Sequence, residues 1–492
     1  MTQHLPALVF LIPFGAAICL PLAAMRDERR SRSIALAALC AMSAAALATL
    51  WVVLDQGEIR YSFSGWAAPI GIEWVADEVA AIMAVAASLL AALCVFYASS
   101  LPLKAIEGRM VPYFTILLLM ISGLTGVIYA GDLFNLFVFL EIVALSGYAL
   151  VAVPGGRALI SAFRYLIMGS LGASFYLLGV AYFYAATGTL NIADLGQRIP
   201  QLLESKAVVV GLTFMFLGLG IKTALMPLHA WLPDAYSDAP DSVSPILASL
   251  LTKVALLAWI RILFWVVGAG NGSGPVVVFS LVWSLGALAA VGGALLALSQ
   301  TDLRRMFAYG GLAHIGLILI GVGQASHTGL AGGLLYLVND AVMQCLLFVM
   351  AGILTHQYGV RTLDDLKDAQ VRSPWILGAF LVAMLSMIGL PPTGGFFGKW
   401  YIVLAAVENQ NYVALAAIVV TTLLTLAYFV RVLEKLYRGA RDTVAGGSVA
   451  EPPMALSFRV GLAAPTVAII GLGLFSDRIV KILLAATGEL GL

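Results

Sequence analysis

Charged side chains are scarce in this chain: Asp, Glu, Lys and Arg make up 11% of its 492 residues, against 61% hydrophobic residues. Soluble globular domains carry about a quarter charged residues, so that class is excluded. The formal charge of +1 identifies no partner, because the charges are sorted by location rather than by sum, and no nucleic-acid partner is expected. Only four cysteines occur, Cys19, Cys40, Cys94 and Cys345, all inside apolar runs and none in a C-x-x-C spacing. They read as small buried hydrophobes rather than as a disulfide framework or an iron–sulfur site. No G-x-G-x-x-G follows a strand pattern and no P-loop is present. No cofactor and no metal is therefore expected, and any redox chemistry that drives the protein belongs to another subunit. No basic residue precedes Arg26, so the N-terminus lacks the basic region of a cleaved signal peptide and is expected to form the first membrane span. Long loops are missing too. The largest polar connections, 55–77, 355–373 and 438–457, are expected to be short linkers or lateral surface helices.

What is present is a succession of apolar runs long enough to cross a bilayer. They centre on 5–25, 33–54, 75–98, 111–129, 132–153, 160–186, 207–228, 243–268, 275–299, 306–323, 328–354, 375–401, 412–436 and 458–476. The expected fold class is an all-α polytopic membrane protein of about 14 transmembrane helices. Basic residues crowd the odd-numbered loops: Arg26, Arg29, Arg30 and Arg32, then Lys104 and Arg109, Arg157, Arg304 and Arg305, Arg361, Lys367 and Arg372, and finally Lys435, Arg438 and Arg441. The even-numbered loops offer Arg60, Arg198 and Lys206. The positive-inside rule places the odd loops in the cytoplasm and both termini outside, in the cell's inner (plasma) membrane.

Polar content also shows a duplication. Spans four to eight (111–268) and nine to thirteen (269–436) form two sets of five, after an N-terminal group of three helices (1–110) and before a linker and fourteenth helix (437–492). The fourth member of each set is broken, by Pro227 after Lys222 and by Pro391-Pro392 before Lys399. An odd number of spans per repeat inverts the second copy in the membrane. Paired broken helices in inverted repeats point to translocation near the midplane.

The chemistry-bearing residues lie in and beside those breaks. Lys222, His229 and Lys253 fall within LTFMFLGLGIKTALMPLHAWLPDAYSDAPDSVSPILASLLTKVALLAWIR; Glu141, His314, Asp340 and Lys399 lie in other apolar runs. A lysine at a membrane-helix centre costs about 2.5–3.5 kcal/mol on insertion scales and marks function by default. Burial disfavours the charged form of Glu and of Lys, and an opposite charge restores it. A Glu141–Lys222 pair that opens and closes therefore changes its proton affinity. His229 and His314 suit relay duty because imidazole titrates near pH 6.5. Structural alternatives stand beside these: His314 and Asp340 as helix–helix polar contacts, Asp234, Asp238 and Asp241 as helix caps, Arg164 and Arg261 as snorkelling side chains.

The motifs GIKTALMPLHAWLPDAYSDAPDSVSPILASLLTK, TDLRRMFAYGGLAHIG and GLPPTGGFFGKWYIV resemble the antiporter-like subunits shared by respiratory complex I, membrane-bound hydrogenases and Mrp-type multisubunit Na+/H+ antiporters. The resemblance implies fourteen helices, two inverted five-helix repeats with broken helices 7 and 12, and a hydrated chain of ionisable residues at half height. It implies Glu141 as the fifth-helix carboxylate, Lys222, Lys253 and Lys399 as the lysines of helices 7, 8 and 12, and histidine positions at His229 and His314. Length favours the D-type Mrp subunit, with other membrane subunits as partners and H+ with Na+ or K+ as cargo. The alternative is a proton-pumping subunit of an NADH–quinone oxidoreductase or hydrogenase. One departure stands out: family members often carry His and Lys in helix 11, where this chain has Asn339, Asp340 and Gln344. Either Asp340 or water replaces the missing group, or the chain is a scaffold with a vestigial route.

Overall fold

A computed structural model describes residues 2–25, 27–101, 106–268, 273–369, 371–442 and 453–488. Arg26 and Lys104, two of the odd-loop basic residues, lie outside the described residues. Among the described residues, twelve helices are long and apolar enough to cross a membrane. Their bounds follow the apolar runs closely, from Leu133–Ala152 to His327–Tyr358 and Leu456–Leu474. The two remaining expected spans, the seventh and twelfth, are the broken ones. The seventh is Lys206–Lys222 followed, after an unwound stretch at 223–230, by Trp231–Asp238; the twelfth is Pro374–Ile388 followed by Gly394–Glu408. The protein is a multi-pass helical membrane protein. Helix starts in the loops are set by side-chain caps: Asp77, Asp132, Asp302, Ser326 and Thr362 each accept an N–H of the first turn.

Burial sorts the helices into layers. Windows of Ser244–Val267, Leu303–Val322 and His327–Tyr358 are 94%, 89% and 94% buried, against 33% and 39% for the first two helices. The three central helices carry Lys253, His314 and Asp340, so these charges lie where neither lipid nor bulk water can reach them. The peripheral position of the first two helices corrects one expectation: Cys19 and Cys40 are exposed on them, while Cys94 and Cys345 are buried with sulfurs 3.6 Å apart. Two further elements were not foreseen. The 55–77 connection folds into an antiparallel hairpin, Ile59–Ser62 with Glu73–Ala76, because Ile59, Trp74 and Ala76 bury their side chains against the bundle. An amphipathic helix Ser476–Thr487 follows the last long helix.

The loops gather their charges at two ends. Arg157, Arg304, Arg305 and Arg361, from three expected odd-numbered loops, line one open cleft of about 1560 Å³ with Asp238, Asp241 and Asp302. At the other end Glu73 receives Asn191 Nδ2 at 3.2 Å and faces Arg60 at 3.6 Å, and Arg198 pairs with Asp194 at 2.9 Å.

Candidate functional site: buried charges around two broken helices

Lys222 is the last residue of Lys206–Lys222, where the unpaired carbonyls of the helix end favour a cation. Its Nζ donates to Glu141 Oε1 at 2.7 Å, from the middle of the neighbouring helix. Lys222 is nearly sealed, but the Glu141 side chain keeps 26% of its exposure. The break itself is held by Trp231, whose Nε1 donates to Ile221 O at 2.9 Å. A small cavity beside the ammonium, lined by Leu124, Leu140, Val143, Leu251, Val254 and Trp231 among others, runs toward the helix of Lys253. Its walls are mostly apolar, and Lys222 is the charged residue among them.

The second group is denser. Asp340 sits between Lys253 and His314: Lys253 Nζ lies 3.0 Å from Oδ2 and His314 Nδ1 lies 2.8 Å from Oδ1. Lys253 also donates to Ala248 O at 2.8 Å, within the π-helical turn Leu247–Leu251 that distorts this helix. All three side chains are 0–2% exposed. The helix–helix contact weighed for His314 and Asp340 is therefore present, as a buried side-chain hydrogen bond. Gln344, one turn on, is also buried, and its Nε2 has no hydrogen-bond partner among the described residues.

Among the described residues, no carboxylate is in contact with Lys399. Its Nζ donates to the carbonyls of Met387 (2.7 Å) and Ile388 (3.0 Å), freed where Pro374–Ile388 ends. His229 is the predicted residue that the structure leaves apart. It lies in the unwound stretch, half-buried, with its ring 6.1 Å from that of Tyr309. It joins neither ion cluster directly.

Three residues read as caps act otherwise. Asp234 is paired with Arg164 (2.7 Å) and Arg305 (3.0 Å); Asp238 with Arg157 (3.3 Å), Arg361 (3.5 Å) and the Ser161 hydroxyl (2.7 Å); Asp241 with Arg304. Arg261 does not snorkel: it is 6% exposed and grips both oxygens of Asp77 at 2.7 and 2.6 Å. Sequence reading missed these partners because each lies 60 or more residues away in the chain, although the three aspartates at i, i+4 and i+7 were a visible signal of one charged face.

A family model described as "NADH:quinone oxidoreductase/Mrp antiporter, TM" matches residues 130–425, which hold all these charged side chains except Asp77. Over 494 aligned residues, 98% of each chain, the sequence is 41% identical to "NADH-quinone oxidoreductase subunit N" of Desulforudis audaxviator. It is 30% identical to the D-type subunit of an Na(+)/H(+) antiporter from Alkalihalophilus pseudofirmus, over 76% of this chain and 75% of the relative. The fold superposes on a chain of the Mrp complex from Dietzia sp. DQ12-45-1b with a TM-score of 0.87 and 26% identity, covering 100% and 97% of the two chains. The chain belongs to the antiporter-like membrane subunit family shared by NADH:quinone oxidoreductases and Mrp antiporters.

Proposed function

We propose that the chain is the proton- and cation-translocating subunit of a multisubunit cation/proton antiporter, with Glu141, Lys222, His229, Lys253, His314, Asp340 and Lys399 as its transfer residues. The observation that carries this reading is the fully buried Lys253–Asp340–His314 triplet, accompanied by a further buried lysine at each broken helix, Lys222 and Lys399. Burying several charges costs several kcal/mol per ion, and apolar residues of similar volume hold a core at least as well. Stability alone gives no reason for the triplet. Proton transfer does, because every member can hold or release a proton. Protonating Glu141, or removing a proton from Lys222, abolishes their attraction and frees both side chains. Proton occupancy thereby becomes a change of position. The apolar cavity between Lys222 and the Lys253 helix then acts as the barrier that opens only when water enters. His229, half-buried in the break, serves the approach to this gap.

On this reading the partners are other membrane subunits and the surrounding bilayer, and the cargo is H+ with Na+ or K+. The location is the inner (plasma) membrane with both termini outside; the gathering of odd-loop arginines at one end supports that orientation. The second reading, a proton-pumping subunit of an NADH–quinone oxidoreductase or membrane-bound hydrogenase, is favoured by the full-length 41% identity to a relative of that name. Purified complex in proteoliposomes separates the two. Proton movement driven by an imposed Na+ or K+ gradient, with no electron donor, supports the antiporter. Proton movement that needs an electron donor and acceptor and ignores both cations overturns it.

A further inference from the structure

Between His314 and Lys399 the ion route has no charged bridge. Tyr336 stands in that interval. It precedes Asp340 by one turn on His327–Tyr358 and is 0% exposed. Its ring centroid lies 5.2 Å from that of His314, with the planes at 58°. Lys399 Nζ lies 5.9 Å from the same ring. Gly398 allows this approach: a Cβ there would stand 2.8 Å from Tyr336 Cδ2, so a side chain would push the Lys399 helix away. Asn339, next to Asp340, donates to Ser386 Oγ at 3.3 Å, and Ser386 also receives the Gly395 N–H at 3.3 Å. The helix of Tyr336 and Asp340 is thereby tied to the second break.

Several buried polar atoms here have no hydrogen-bond partner among the described residues, the Tyr336 hydroxyl and His314 Nε2 among them. An unpartnered phenol in a protein interior is costly, and phenylalanine fills the same space without that cost. Packing therefore accounts for the ring but not for the hydroxyl.

We propose that the Tyr336 hydroxyl is a proton-transfer group between His314 and Lys399; this rests on the ion route described above. A hydroxyl donates and accepts at once. Its oxygen takes the proton leaving Nε2–H of a protonated His314 while its own proton passes, through water, to the neutral amine of Lys399. One N–H bond breaks and another forms, no electron is transferred, and the phenol ends as it began. Asp340 keeps His314 oriented by holding Nδ1, so Nε2 faces outward from the triplet.

The test is the full complex in proteoliposomes carrying Tyr336→Phe, compared in H2O and D2O, beside Glu141→Ala. The Phe variant should assemble at wild-type level, transport about tenfold more slowly or worse, and show a larger solvent isotope effect as the proton step becomes limiting. A slower rate with an unchanged isotope effect overturns the proposal, because a packing defect does that. A wild-type rate for Tyr336→Phe with loss in Glu141→Ala overturns the role of Tyr336 alone. Wild-type rates in both overturn the route as well. Should the Phe variant assemble poorly, 3-fluorotyrosine placed at residue 336 keeps the fold and alters the acidity of the hydroxyl; an unchanged rate then overturns the proposal.

Discussion

Lys222 ends the helix before one proline break and Lys399 lies in the helix after the other, and they are held by different forces. At the first break an ion pair fixes the lysine (Lys222 to Glu141, 2.7 Å), and aspartate–arginine pairs at Asp234 and Asp238 fix the short helix beyond it. At the second break the lysine rests on two backbone carbonyls, and close packing at Gly395 and Gly398 holds the helix that carries it. A carboxylate partner vanishes when it takes up a proton; a carbonyl does not. The first break is therefore built to respond to protonation of its surroundings, and the second responds through the protonation of Lys399 alone. The Lys253–Asp340–His314 triplet sits between these two regimes.

The largest effect is expected where the two regimes meet. Asp340→Leu leaves the Lys253 ammonium uncompensated and His314 Nδ1 without its partner, both at near-zero exposure. Removing one partner from a buried ion pair costs about 3–5 kcal/mol. The variant should lower the thermal unfolding temperature of the purified complex or reduce assembled protein, and slow transport. Wild-type stability together with wild-type transport would place the route outside this helix.

Next come the two lysines, which separate the breaks. Glu141→Ala and Lys222→Ala should both abolish ion-coupled transport in vesicles while assembled protein persists, since the half-open Glu141 side lets water solvate what remains. Near-complete loss of protein would instead mark the pair as structural. Lys399→Met should behave differently in one respect. With no carboxylate left behind, its stability should match or exceed the wild type, and transport should still fail. Lys399→Arg should assemble and also fail, because a guanidinium holds its proton at any accessible pH. Wild-type rates for Lys399→Arg in proteoliposomes would mean that the residue supplies positive potential only.

The sequence made the periodic part of this molecule legible. Apolar runs locate helices such as Leu133–Ala152 because bilayer thickness dictates their length, and the prolines at Pro227 and Pro391-Pro392 mark the breaks because a missing N–H cannot continue a helix. Glu141 with Lys222 was readable as well, since two opposite charges in membrane spans are costly unless they meet. The pairing of Asp340 with both Lys253 and His314 was not readable. It depends on the π-helical turn at Leu247–Leu251 that redirects Lys253, and hydrophobic periodicity carries no trace of that distortion. Tyr336 escaped for a related reason: an aromatic residue in an apolar helix reads as packing until its neighbours are known. The hairpin at 59–76 was lost because short strands beside Gly and Pro resemble a loop.

The smallest effect concerns the anchoring of the first break. Asp238→Asn removes the charge facing Arg157 and Arg361, whose side chains are 67% and 55% exposed. Exposed pairs are worth about 0–1 kcal/mol because water and salt screen them. Stability should therefore fall by no more than about 1 kcal/mol, and the amide should keep the Ser161 hydrogen bond by accepting through its oxygen. Any effect on turnover should come from the short helix Trp231–Asp238, which Asp238 and Asp234 brace at the cleft end while Trp231 braces the Lys222 end. If the first break moves during transport, loosening one brace should change the rate by less than about tenfold and make it more sensitive to salt, since the remaining pairs are screened. A control at an exposed pair away from the first break, Lys435→Met, removes its contact with Asp364 and should leave both rate and salt dependence unchanged. Equal salt sensitivity in the two variants would mean that the charged cleft stabilises the fold without steering the first break, and the contrast between the two breaks would then reduce to their lysines.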